Sequence, residues 1–181
     1  MRNLLYILIV ITAVACGPKE SPEVQAENNK KQELLDRITE VEGRAFATSA
    51  KIDTQVGYEL MRAYLDYSNQ FHGDSISAEF MFKAGDVARN VGRHKQAISI
   101  FSNLHDSYPK FNRLPETAFI VAFIYDNDLN DREMAKKSYE KVIELYPEHK
   151  LAQDAQARIE TLYMTDEELI EMFKARNQEA S

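Results

Sequence analysis

The chain has 181 residues, with 29 acidic side chains against 22 basic ones and a net charge of −7. An acidic balance without a basic run repels phosphate backbones and anionic lipid headgroups, which argues against a nucleic-acid binder. One cysteine excludes a disulfide framework within the chain and a cysteine metal site.

Met1, Arg2 and Asn3 form a short positive segment, and residues 4–14 are an apolar run. That run is shorter than the roughly 18 to 20 residues that cross a bilayer and has the length of a signal peptide. Ala13, Val14, Ala15, Cys16 and Gly17 come next. Small residues before a cysteine here resemble the bacterial lipobox, in which the cysteine is acylated and becomes the first residue of the mature chain. Residues 1–15 are therefore expected to be a lipoprotein signal peptide, with Cys16 the lipidated residue and the only membrane contact. Each buried CH₂ of a lipid chain contributes about 0.8 kcal/mol, so two or three chains hold a domain stably. The mature chain would carry 29 acids against 21 bases, a net charge of −8. Gly17 is not the aspartate that some systems read as inner-membrane retention, which points to an outer-membrane lipoprotein of the bacterial envelope with its soluble domain in the periplasm.

Residues 16–29 contain two prolines and no apolar periodicity, and read as a flexible tether. An N-terminal helical segment occupies 30–52, with Leu34, Leu35, Ile38 and Val41 on one side of a helix from Lys30 to Val41. It is too short for a coiled coil and is expected to pack on the next helix. That helix begins at the N-cap Asp53 and runs to Phe71, with Val56, Leu60, Tyr64 and Tyr67 inward.

From here the chain repeats itself. Leu60, Tyr64, Tyr67 and Phe71 align with Ala97, Phe101, Leu104 and Tyr108, and again with Ala135, Tyr139, Val142 and Tyr146. Spacing of i, i+4, i+7 and i+11 places each set on one helical face. Pro109 and Pro147 end two of these helices, and His72 stands in the third place. Seven positions after His72, Pro109 and Pro147 comes an acid, Glu79, Glu116 or Asp154. The partner helices also align, with residues 78–88 over 115–125, so that Phe82 matches Phe119 and Gly85 matches Ala122. Glycine inside a helix costs about 0.8 to 1 kcal/mol relative to alanine. Gly85 thus predicts a helix crossing too close for a Cβ.

Residues 78–109 resemble a tetratricopeptide repeat over its full length, through Gly85, Gly92, Ala97, Phe101 and Pro109. Departures are Met81, Ala84 and Leu104, and the second unit has one extra residue in its internal turn. Longer linkers after the prolines resemble those of bacterial envelope proteins such as the β-barrel assembly lipoprotein and the periplasmic cell-division coordinator. The fold implied is an all-α solenoid of helix-turn-helix repeats over 53–163: an incomplete unit 53–77, repeats 78–114 and 115–151, and a final helix 152–163. Residues 164–181 are expected to form a capping helix and tail. Thr165 to Glu168 is a capping box, and Leu169, Met172 and Phe173 would cover Ile159 and Leu162.

The resemblance also implies a ligand groove lined by the first helix of each unit. Its positions here are Glu79, Phe82, Asp86, Arg89 and Asn90, then Glu116, Phe119, Phe123, Asp126 and Asn127. The acids also suit a helix dipole and the phenylalanines also suit a core; at least one phenylalanine is expected to face the groove. Asp126, Asn127, Asp128 and Asn130 open like a calcium loop, but Asp131 stands where that loop needs glycine and Lys137 where it needs a bidentate glutamate. His72, His94, His105 and His149 have no ligand spacing, and no phosphate loop or nucleophile elbow is present. No catalytic residue, cofactor or metal is expected. The reading is a non-catalytic, lipid-anchored repeat protein that binds a protein partner in outer-membrane or cell-wall assembly. Two alternatives are a self-associating structural protein, pairing through its N-terminal helix and groove, and an accessory protein of glycan or nutrient uptake.

Overall fold

The computed structural model describes residues 21–47 and 51–179. Cys16, the signal segment and residues 16–20 of the expected tether lie outside them. Eight α-helices follow one another: α1 (Pro22–Ala45), α2 (Thr54–Gln70), α3 (Ser77–Asn90), α4 (His94–Ser107), α5 (Leu114–Phe123), α6 (Arg132–Leu145), α7 (Lys150–Thr161) and α8 (Asp166–Glu179). A π-helical turn, Ile124–Asp128, extends α5. From α1 to α7 each helix packs on the next, and α5 also touches α7. The result is an all-α solenoid of helical hairpins. Among the described residues no helix is long and apolar enough to cross a membrane.

Helix α1 begins eight residues before the expected start. Ser21 caps it by accepting from the Val24 amide, Pro22 takes the first turn and Glu23 faces the positive helix end. Its first turns are exposed and so carry no apolar rhythm; the helix becomes amphipathic only where Leu34, Ile38, Val41 and Ala45 are buried. The described part of the expected tether is therefore helical from Pro22 onward. Asp53 caps α2 as expected, accepting from Gln55 and Val56.

Two cores result. The first spans α1 to α4 and reaches Leu114 and Ile124; the second gathers Ala122, Ala135, Tyr139, Val142, Ala155 and Leu162. The aligned stripe residues Leu60, Tyr64, Tyr67, Ala97, Phe101, Leu104, Ala135, Tyr139 and Val142 are all buried. At the first internal turn Gly92 adopts φ +79°, while Gly92 and Arg93 donate to the carbonyls of Arg89 and Ala88. Those two bonds close a Schellman motif, satisfying carbonyls that a helix end leaves open.

The second internal turn absorbs its extra residue differently. The Leu129 amide bonds the Ile124 carbonyl five residues back, so the insertion becomes a π turn inside the hairpin. Asn130 then takes φ 53°, and Asp131 caps α6 by accepting from Met134.

Helix α8 starts at the expected capping box, with Thr165 and Glu168 exchanging side-chain and backbone bonds of 3.2 and 2.8 Å. Leu169 and Met172 are half-buried. Phe173, expected on the same covered stripe, is instead 51% exposed, as is Ile170 at 52%. The reason is angular: Leu169 and Met172 lie on one flank of the helix, and Ile170 and Phe173 turn away from it.

Candidate functional site

The first helices of the hairpins carry the expected groove positions, and the structure separates those positions into two groups. Between α1 and α3 lies an open recess of about 280 Å³, floored by Phe82 and Tyr64 and walled by Glu42, Phe46, Glu79, Lys83, Asp86 and Arg113. Phe82 is only 6% exposed and packs on Phe101 and Phe111, so it belongs to the core as a floor and does not stand free as an anchor. Its outer face is covered by the Arg113 guanidinium, 3.6 Å from the ring centroid.

Arg113 organises this end. It donates to Glu79 at 2.8 Å and to both oxygens of Glu116 at 2.9 Å, tying α3 to the start of α5. Hydrogen bonding from Arg113 holds the Glu116 carboxyl below its ordinary pKa and the guanidinium above its own. The two acids therefore do more than complement helix dipoles: they form one clamp between repeats.

Across the recess Tyr64 donates to Glu42 at 2.5 Å, and Lys83 donates to the same oxygen at 3.0 Å. Burial pushes the Glu42 carboxyl up, and the bonds from Tyr64 and Lys83 outweigh it, so the net direction is down. Burial, then Glu42, pushes the Tyr64 hydroxyl up, which keeps it a neutral donor. Asp86 differs from these neighbours. Among the described residues no cation sits within salt-bridge distance of it, and its hydrogen-bond donor is the amide of Asn90 at 3.3 Å. Burial raises its pKa despite the fields of Arg89 and Arg113. Beside it Phe46 is 58% exposed.

The second group lies along the π turn. Phe123 is half-buried between two guanidiniums, Arg89 at 4.8 Å and Arg158 at 5.2 Å. Arg89 also donates to Asp128 at 2.7 Å, and Asp126 accepts from Tyr139 at 3.1 Å with Arg158 3.7 Å away. The carboxylates that open like a calcium loop are thus paired with protein cations and a tyrosine. Phe119 is half-buried against Tyr139, while Asn90 and Asn127 are exposed.

Of the ten expected groove residues, the recess joins Glu79, Phe82 and Asp86; Glu116 reaches it through Arg113, and Arg89, Phe123 and Asp126 form the second group. Sequence reasoning missed Glu42, Phe46, Lys83, Arg113 and Arg158. Lys83 had a usable signal, being adjacent to Phe82 and so about 100° from it on the same helix. Arg113 sits three residues before Glu116 across a helix start, the spacing of an ion pair.

Two family models, each described as a tetratricopeptide repeat, match residues 79–110 and 116–149. These spans coincide with the hairpins α3–α4 and α5–α6. No curated protein matches the chain.

Proposed function

We propose that this tetratricopeptide repeat protein is a non-catalytic adaptor of the bacterial envelope, anchored through lipid on Cys16 at the outer membrane, with its repeats in the periplasm. Repeats of this kind imply a protein partner. The partner segment lies in the α1–α3 recess, where it presents a basic side chain to Asp86 and apolar surface to Phe46. One observation carries this reading: among the described residues Asp86 is a half-buried carboxylate without a salt bridge, beside an exposed aromatic, in a recess whose other charges are paired with one another or with Tyr64. A cation from a partner would pair with Asp86 and remove the cost of its burial. The run of small residues before Cys16 supports the anchor.

Affinity capture from a crosslinked envelope fraction tests the adaptor. The wild-type chain should retain a protein that Phe46→Asp and Asp86→Asn each weaken by about tenfold, near 1.4 kcal/mol, with no fall in melting temperature. Capture that survives both substitutions places the partner elsewhere. Cys16→Ser tests the anchor separately: acyl labelling and membrane retention should both be lost, and retention without acylation would contradict it.

A further inference from the structure

A second recess lies on other helices. Helices α4, α5 and α6 enclose about 300 Å³ floored by Phe101 and Tyr125 and rimmed by Met134, Leu145, Lys137 and Lys141. Met134 and Leu145 are exposed, so the rim is apolar at these two positions. Lys137 and Lys141 stand one turn apart on α6, and among the described residues neither makes an ion pair.

Helix α8 offers the complement. Ile170 and Phe173, at i and i+3, form a solvent-facing apolar pair on a helix whose Leu169 and Met172 already turn inward. Glu167 and Glu171 flank that pair, also one turn apart, exposed and without an ion pair among the described residues. Four residues rise about 6 Å along a helix, so the two acids and the two lysines form ladders of the same pitch. Apolar pair matches apolar groove, and two negative charges match two positive ones.

We propose that α8 of one copy docks in the α4–α6 groove of a second copy, Ile170 and Phe173 entering over Phe101 and Tyr125 while Glu167 and Glu171 pair with Lys137 and Lys141. Exchange in both directions closes a symmetric dimer; exchange in one direction only builds a chain of copies. Neither interaction uses the α1–α3 recess, so self-association leaves the partner site open.

The test is site-specific photocrosslinking in the full chain, with p-benzoylphenylalanine incorporated in place of Phe173 and two differently tagged copies co-expressed. The expected product carries both tags and joins a peptide from 166–179 to one from 94–107, 114–128 or 132–145. Lys137→Glu with Lys141→Glu, both surface changes, should reduce that product at least fivefold with unchanged circular dichroism. Adding Glu167→Lys and Glu171→Lys to the same chain should restore it. A crosslink confined to one chain, one to an unrelated protein, one mapping outside the groove, or the absence of any crosslink overturns the proposal.

Discussion

The ring of Phe101 occupies the space that a Cβ on Gly85 would need, with its Cε1 2.5 Å from that position. Phe101 is buried, with its ring packed on Phe82. Gly85→Ala should therefore destabilise the fold. Overpacking costs about 1 to 3 kcal/mol, offset by about 1 kcal/mol of helix propensity, for a net loss of up to about 2 kcal/mol. At Gly57 an added Cβ would clash with Val91 Cγ1, so Gly57→Ala should also destabilise in the same urea titration, by less because Val91 is only half-buried.

Arg113→Ala should cost about 1 to 2 kcal/mol. The substitution removes partly exposed ion pairs to Glu79 and Glu116, worth about 0.2 to 1 kcal/mol each, and the cation over the Phe82 ring. Arg113→Lys should recover less than half of the loss, since an ammonium cannot bond Glu116 through two nitrogens while lying flat on a ring. Equal stability of the lysine variant and the wild type would show the fork geometry to be irrelevant.

Glu42 and Asp86 predict opposite pH responses. The Glu42 pKa is lowered in the fold, so its contribution is present above the unfolded carboxylate pKa and is lost as pH falls through the folded value. Glu42→Gln should destabilise by about 0.5 to 1.5 kcal/mol near neutrality and have no effect in strong acid. The Asp86 pKa is raised, so the folded state binds protons more readily than the unfolded one and is disfavoured above the folded pKa. Asp86→Asn should raise the melting temperature at pH 7, with the difference shrinking as pH falls through the carboxylate range. Melts at stepped pH values check both signs.

Ending the chain at Met164 should lower stability by about 1.5 to 3 kcal/mol. Half-burial of Leu169 and Met172 yields roughly half of the 1.5 to 3 kcal/mol that full burial of such a side chain contributes. Hydrogen exchange should quicken first in α7, the neighbouring element, while α3 stays protected. Uniform acceleration along the chain would instead mean that the solenoid opens as one unit.

The repeat stripes, the helix stops at Pro109 and Pro147, and the close approach at Gly85 were legible in the sequence because each follows from a short-range rule. Residues 22–29 were not, since a helix exposed on every side has no apolar period and only the cap at Ser21 to Glu23 marks it. Phe82, Phe119 and Phe123 all stand at expected groove positions in the sequence. Their burial differs because Arg113 closes over the first, Tyr139 packs on the second and two arginines from neighbouring helices bracket the third. Those partners come from other helices, and spacing within one helix carries no information about them.

The π turn at Ile124–Asp128 makes the two repeats unequal in the surface they present. A turn closed five residues back holds more residues than an α turn, so each of its side chains advances by less than the roughly 100° of the α-helical counterpart in the preceding repeat. Arg89 and Asn90 at the end of α3 therefore have no rotational equivalents at Asp126 and Asn127, although the sequences superimpose. A bound segment displaced by one repeat would meet a surface turned out of phase. Identical modules would permit such slippage; the inserted residue would confine a bound segment to one position along the stack.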